Sequence, residues 1–285
     1  EAKTNGRNRT VLLDQGMRDE AFERIALTRI VQDAITNRYF ETYLHTRHSA
    51  RTGEIVGAEA LSRCVLPDGQ IIGPLQFMPI IEENHLSLEH GKILITQACE
   101  YIKPLREKFG PSFRLSLNVN AHQLVQEDFW SFFTRERKRF NVPTSAFEVE
   151  ITETSLISNF DVAIGILKEF REDGGIIALD DFGTGYSSLS YLTKLPIDII
   201  KLDREFSSNA VKDERNAGIL RATVLLAKSI GAVVVSEGIE TKKEEEFMKS
   251  AGVHYLQGYR FSRPAPLSVT LNLRNEVDGW TAQAV

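Results

Sequence analysis

Arg114-Leu115-Ser116-Leu117-Asn118-Val119-Asn120 and Phe147-Glu148-Val149-Glu150-Ile151-Thr152-Glu153 are the stretches from which the fold is read. Both alternate. Leu115, Leu117 and Val119 share one side of the first, and Ser116, Asn118 and Asn120 the other. In the second, Phe147, Val149 and Ile151 oppose Glu148, Glu150 and Thr152. A period of two is the mark of a β-strand. A barrel strand turns one face to surrounding helices and the other to the barrel interior. The apolar sides therefore predict helix contact, and Asn118 and Glu150 are predicted to point inward near strand C-termini.

Working outward, strand-like runs recur at Ile176–Asp180, Ile197–Leu202, Ala232–Glu237 and Val253–Gln257. Helical stretches at Ala121–Phe140, Asp161–Asp173 and Asn216–Ile230 separate most of the six. Strands alternating with helices predict a parallel sheet. Upstream, Tyr39–His45 and Glu54–Leu61 flank Thr52-Gly53 as an antiparallel pair, which brings the total to about eight strands. The expected fold is α/β: a (β/α)8 TIM-like barrel opened by an antiparallel pair. An open doubly wound sheet is the second choice, but it lacks the glycine fingerprint after a first strand. The expected boundaries are a tail and lead-in helix over residues 1–38, a barrel over 39–270 and a C-terminal tail over 271–285. The lead-in helix rests on Met17, Ala21, Ile25, Ile30 and Ala34 at helical spacing.

Composition agrees with a single barrel-sized domain. The chain has 285 residues, 42% apolar and 26% charged, with a formal charge of −5. A chain of this size buries roughly 75% of its unfolded surface, so it needs no staples. The mild acid excess excludes a broadly basic coat for a nucleic-acid polymer. Cys64 and Cys99 form no CxxC pair, so no zinc ribbon or disulfide framework is readable, and a reducing cytoplasmic setting fits. No apolar run approaches a membrane span, and the first ten residues are too polar for a signal peptide. A start at Glu1 suggests a piece of a longer protein, whose remainder has room for a membrane anchor or a sensor. Asn8-Arg9-Thr10 matches a glycosylation sequon by chance, and Lys242-Lys243-Glu244-Glu245-Glu246 reads as a solvated helix face.

The polar side of the strands carries the chemistry. Functional sites in such barrels lie at the C-terminal mouth. Glu59, Glu150, Asp180, Asp181 and Glu237 all fall at or near strand ends, with Lys201 as the cation among them and Arg63 within reach. Such an acid excess cannot stay partly buried unless pKa values rise or cations bind. Oxygen donors without Cys or a His cluster favour Mg²⁺ or Mn²⁺ over Zn²⁺. Adjacent acids such as Asp180-Asp181 suit a two-metal centre for phosphate-ester hydrolysis. The bland reading, that the acids cap the helices after each strand, serves any one of them but not all five together with Asn118 and Lys201.

Together these residues resemble the EAL-domain phosphodiesterases. The resemblance rests on Glu59-Ala60-Leu61 with Arg63, Asn118, Glu150-Ile151-Thr152-Glu153, Asp180-Asp181-Phe182-Gly183-Thr184-Gly185, Lys201-Leu202-Asp203, Glu237-Gly238-Ile239-Glu240 and Gln257-Gly258-Tyr259, in order from about Phe40 to Pro266. It implies hydrolysis of cyclic di-GMP to linear pGpG, or, as the alternative, a non-catalytic cyclic di-GMP receptor. It implies a modified (β/α)8 TIM-like barrel with an antiparallel first strand, two Mg²⁺ or Mn²⁺ ions per site, a homodimer, and room for an upstream sensor or GGDEF-type domain in the full-length protein. By position, Glu59, Asn118, Glu150 and Asp180 resemble ligands of one metal, and Asp180, Asp181 and Glu237 ligands of the other. Lys201 and Gln257 would handle the attacking water, Arg63 a substrate phosphate, and Glu153 the loop at 181–188. Glu240 is similar to a supporting acid near the substrate.

The chain departs from the family where Gln-Pro-Ile is usual: it has His45-Thr46-Arg47. The Gln contacts substrate in the family, so His45 is the expected substitute, since it also donates or accepts a hydrogen bond. Cys64 and Asn120 replace a usual Trp and Ser. Asp181-Phe182-Gly183 also occurs in kinases, but the other kinase motifs are absent. His45 and His48 are three apart on a strand and face opposite ways, which argues against a metal pair. The Tyr186–Leu192 stretch reads as packing.

Overall fold

The computed structural model describes residues 15–152, 160–182, 192 and 194–275, with side chains from residue 21 onward. The strands lie where alternation predicts them: β1 Phe40–Ser49, β2 Ile55–Val65, β4 Arg114–Asn118, β5 Phe147–Thr152, β6 Ile176–Phe182, β7 Ile199–Leu202, β8 Val233–Ser236 and β9 Tyr255–Gln257. A two-residue strand, β3 (Ile71–Ile72), extends β2 outward. The sheet order is β1-β9-β8-β7-β6-β5-β4-β2, and β1 also pairs with β2, so the eight strands close into a barrel. Strand β1 is antiparallel to both neighbours and the remaining pairs around the ring are parallel. Closure sets aside the open doubly wound sheet.

Among the described residues the α-helices are α1 Gln15–Asn37, α2 Pro74–Glu83, α3 Ser87–Phe109, α4 Ala121–Leu124, α5 Glu127–Arg139, α6 Phe160–Glu172, α7 Arg204–Ala210, α8 Glu214–Ser229, α9 Lys242–Ser250 and α10 Leu267–Thr270. Helices α2 and α3 were not anticipated. Each contains a proline, Pro79 and Pro104, and proline ordinarily marks a helix boundary; here burial of Phe77, Ile80, Ile81, Ile95, Ile102 and Leu105 overrides it. The single helix expected over Ala121–Phe140 is two. Asn120, expected on the inward face of a strand, instead caps α4 in a reciprocal pair with Gln123. Helix α9 is not solvated throughout: Glu245 is buried and pairs with Lys249 and Arg260.

The main core lies between barrel and helices. Leu115, Leu117, Val149, Ile151, Ile177, Leu179, Ile200 and Val234 meet Leu105, Leu124, Phe133, Leu167 and Leu220 there. Inside the barrel a separate small cluster, Ala178, Ile199 and Val235, fills the β6–β8 side below the mouth. The C-terminal half of α1 closes the other end of the hairpin, with Val31 and Ala34 against Phe40, Phe77 and Ile80.

Candidate active site

The barrel interior holds two ionic layers. The lower one is a closed pair. Arg47 donates through Nη1 to Glu148 Oε2 and through Nη2 to Glu148 Oε1, both at 2.6 Å, and Ser116 Oγ donates to Glu148 Oε2 at 2.9 Å. Arg47 is 4% exposed and Glu148 0%. The guanidinium fits because residue 57 is glycine: a Cβ there would lie 2.9 Å from Arg47 Nη2 and 2.8 Å from the Arg114 carbonyl oxygen. Arg47 and Gly57 are direct partners across β1 and β2.

Above this layer, at the C-terminal ends of the parallel strands, the acids converge on Lys201. Its Nζ lies 2.5 Å from Glu150 Oε2, 2.6 Å from Glu237 Oε1, 3.2 Å from Asp180 Oδ1 and 3.8 Å from Glu59 Oε2. Glu59 in turn accepts from Asn118 Nδ2 at 2.8 Å and from Gln257 Nε2 at 2.7 Å. Gln257 Nε2 also contacts His45 Nδ1 at 3.0 Å. Eight of the residues read from sequence are thus one connected group: Glu59, Asn118, Glu150, Asp180, Lys201, Glu237, Gln257 and His45. They come from β1, β2, the ends of β4 to β7, the turn after β8, and β9.

Asp180 and Asp181 are adjacent, and plain alternation would send one of them toward the helices. A bulge prevents this. The β6–β7 register runs Leu179↔Ile200 and then Phe182↔Leu202, so two residues of β6 stand against Lys201 alone. Asp181 takes the left-handed conformation with φ 54°, which aspartate tolerates better than most residues. Its own N–H donates to Asp180 Oδ1 at 3.0 Å. Its carboxyl is raised above the ordinary range by burial and by the nearby charges of Asp180 and Asp203.

The charge balance is uneven. Four carboxylates around one ammonium leave a formal −3 at the centre. Glu150 is pushed well above the carboxylate range by burial and by Glu59, Asp180 and Glu237, against the pull of Lys201. Glu237 is raised to about 8 by burial, reinforced by Asp180 and Glu59. Burial would also raise Glu59, but Lys201 and the hydrogen bonds from Asn118 and Gln257 outweigh it and hold the group low. Burial would lower Lys201, yet the four acids hold it well above its ordinary value, so it is protonated. Among the described residues, no three acids or imidazoles surround one ion-sized point, because the acids turn to the ammonium. The donor chemistry nevertheless fits a hard divalent cation: every acid offers oxygen, and the unneutralised charge is what such an ion would offset.

Other expected residues lie at the rim or beyond it. Arg63 donates to the Ser62 carbonyl at 2.8 Å and lies over the Tyr43 ring; burial lowers its pKa, and Tyr259, Tyr43 and Glu59 act against that. Glu240 pairs with Arg204 at 3.0 Å and is half-exposed. Glu153, most of the 181–188 loop, the sequon at Asn8 and Tyr186 lie outside the described residues; Leu192 is buried. Helix capping falls to Asn120, Asp203, Asp213 and Thr241, which leaves the mouth acids without that structural task in any described helix. Gly258 binds the rim together: a Cβ there would lie 2.2 Å from the Ile239 carbonyl oxygen, and Ile239 N–H donates to the Gln257 carbonyl at 3.1 Å. A cavity of about 650 Å³ opens beside Asn118 and Glu150, lined further by Leu61, Pro74, Met78, His85 and His122.

Sequence reading missed Glu148 and the depth of Arg47. Glu148 shares the inward side of Glu150, and Arg47 was visible as a departure from the family. Their pairing across the barrel needs three-dimensional closure.

Comparison with known proteins agrees with this geometry. The family model described as the EAL domain matches residues 28–264. The chain belongs to the EAL domain family. The EAL domain here is 32% identical over 265 residues to the cyclic di-GMP phosphodiesterase PdeR of Escherichia coli, spanning 93% of this chain and 40% of PdeR. It is 31% identical over 248 residues to PdeL of the same organism, a cyclic di-GMP phosphodiesterase, spanning 87% of this chain and 68% of PdeL. The solved PaMucR phosphodiesterase in complex with c-di-GMP superposes with a TM-score of 0.80 at 30% identity, covering 86% of this chain and 99% of that one. The EAL domain thus accounts for less than half the length of PdeR.

Proposed function

We propose that this EAL domain hydrolyses cyclic di-GMP to linear pGpG. The observation that carries the reading is the single buried Lys201 ringed by Glu59, Glu150, Asp180 and Glu237 at the barrel mouth. Residues for two divalent ions, Mg²⁺ or Mn²⁺, are Glu59, Asn118, Glu150 and Asp180 on one side and Asp180, Asp181 and Glu237 on the other. Such ions polarise a phosphoryl oxygen and lower the pKa of bound water. The chain's own residues do the rest. Protonated Lys201 is a donor able to fix the attacking water, and Gln257 offers its amide from the adjoining strand. Arg63 at the rim supplies a guanidinium for a phosphate oxygen. The cavity beside Asn118 is of a size that takes part of a nucleotide. By the family resemblance Glu240, paired with Arg204, would support the substrate side, and Glu153 would anchor the loop after Asp181. The same proposal includes a homodimer, a cytoplasmic setting, and a sensor or GGDEF-type domain in the full-length protein. Among the described residues no helix is long and apolar enough to cross a membrane.

The test is incubation with cyclic di-GMP and either metal, followed by chromatography of the products. Appearance of pGpG is expected; intact nucleotide at high enzyme concentration overturns the reading, and tight binding without turnover would mark a receptor instead. Lys201→Ala should lower kcat more than KM, because the ammonium acts on the water rather than on substrate binding. A change confined to KM contradicts that role.

A further inference from the structure

His45 stands where substrate contact is expected, yet its hydrogen bond goes elsewhere. Gln257 Nε2 lies 2.7 Å from Glu59 Oε2 and 3.0 Å from His45 Nδ1. Glu59 Oε1 accepts from Asn118 Nδ2 at 2.8 Å and Oε2 lies 3.8 Å from the Lys201 ammonium, so the group meets donors at both oxygens. The nitrogen of the Gln257 amide must therefore face it, which settles the orientation of that amide. The second hydrogen of the same NH₂ group is then directed to His45, whose Nδ1 accepts it. That makes His45 the neutral tautomer with its proton on Nε2. The imidazole is 9% exposed, the backbone of Gly258 and Ser262 faces the ring, and Nε2 makes no hydrogen bond of good geometry. Both donors of the amide are thereby engaged, so its Oε1 is the group left for the mouth. Strand register supports the arrangement: His45 is the direct partner of Glu59 across β1 and β2, and Arg47 is the direct partner of Gln257 across β1 and β9.

We infer that His45 is a positioning residue that fixes the Gln257 side-chain amide, with its carbonyl oxygen toward the reacting centre, and that it acts through Nδ1 rather than by touching substrate through Nε2. A phenylalanine at 45 would fill the space but accept nothing, leaving the Gln257 amide free to rotate. The kinetic consequence rests on the phosphodiesterase reading above; the hydrogen bond itself does not.

The experiment exploits the shape of two amides. An Asn side-chain oxygen reaches about as far as Nδ1 of His, and a Gln oxygen about as far as Nε2. His45→Phe should lower kcat about 10-fold with KM within about twofold, the worth of one buried hydrogen bond. His45→Asn should recover most of that loss and His45→Gln should not. In a Gln257→Ala background, His45→Phe should add nothing further. Recovery by Gln equal to or better than Asn, a rise in KM as the main effect, or full additivity with Gln257→Ala overturns the inference. Independently of turnover, ¹⁵N NMR of the His45 ring should show an unprotonated, hydrogen-bonded Nδ1 that loses its hydrogen bond in Gln257→Ala. A protonated Nδ1 also overturns it. Absence of turnover in the unmodified chain would overturn the phosphodiesterase reading and leave the NMR result to decide this one.

Discussion

The two ionic layers inside this barrel are built from the same kinds of side chain and lead to opposite ends. In the lower layer one cation meets one anion, Arg47 and Glu148, with two short hydrogen bonds and a third from Ser116. Burial would raise Glu148, but Arg47 and Ser116 outweigh it and hold the acid below the usual range. Everything there is satisfied except Arg47 Nε. A few ångströms higher, one cation meets four anions, and two of these, Glu150 and Glu237, are raised rather than lowered. A matched buried pair is a structural solution. A mismatched buried cluster is an unfinished one, and in the function proposed above a divalent cation would complete it. On that reading, the difference between the layers is what separates support from chemistry in this molecule.

The largest effect that would test the contrast is on turnover. Glu59→Ala or Asp180→Ala should abolish it, since each removes a proposed metal ligand. Neither should unfold the protein, because each relieves a like-charge cluster. Wild-type-like rates, or a collapse of the melting transition, would break the distinction. The next effect is on stability. Glu148→Ala strands a buried guanidinium and should cost about 3–5 kcal/mol in denaturant unfolding. Replacing both partners, Arg47→Leu with Glu148→Leu, should recover most of that loss, because no uncompensated charge remains. An equally unstable double variant would show that the pair does more than neutralise itself.

The last effect is the pH dependence of the metal-free protein, spread over several pH units and so the most gradual to read. Glu237 is raised from 4.5 to about 8 on folding. The native state therefore holds this proton across that window while the unfolded chain releases it. The stability this proton confers is complete below about 4.5 and is lost as the pH rises through about 8. Glu237→Gln should flatten that slope, as should Mg²⁺ or Mn²⁺ added to the unmodified chain. A slope unchanged by either would place the charge excess elsewhere.

Much of this was legible in the chain itself. Alternation in 114–118 and 147–152 placed the strands, and parity put Asn118 and Glu150 on the inner face before any coordinates. The acids and Lys201 could be assembled because all but Glu59, which lies mid-strand in β2, fall at or near a strand end, and a parallel barrel brings strand ends together. Helices α2 and α3 were hidden because local rules treat Pro79 and Pro104 as stops, while the packing of their apolar faces is non-local. Asn120 was misplaced because strand and cap both favour a short polar side chain after an alternating run, and only the end of the β4 ladder at Asn118 separates them.

What the sequence determined by itself was the inventory: which strands exist, which face of each is polar, and that the acids outnumber the cations where those faces meet. What only the tertiary structure decided was the pairing. Arg47 finds Glu148 across the barrel through the gap left by Gly57, Asp180 and Asp181 share the mouth through a bulge opposite Lys201, and Gln257 lies between Glu59 and His45. Those contacts join residues 101, 21 and 198 or more positions apart. Their partners are chosen by the register of a closed ring, and register is a property of all eight strands together rather than of any one segment.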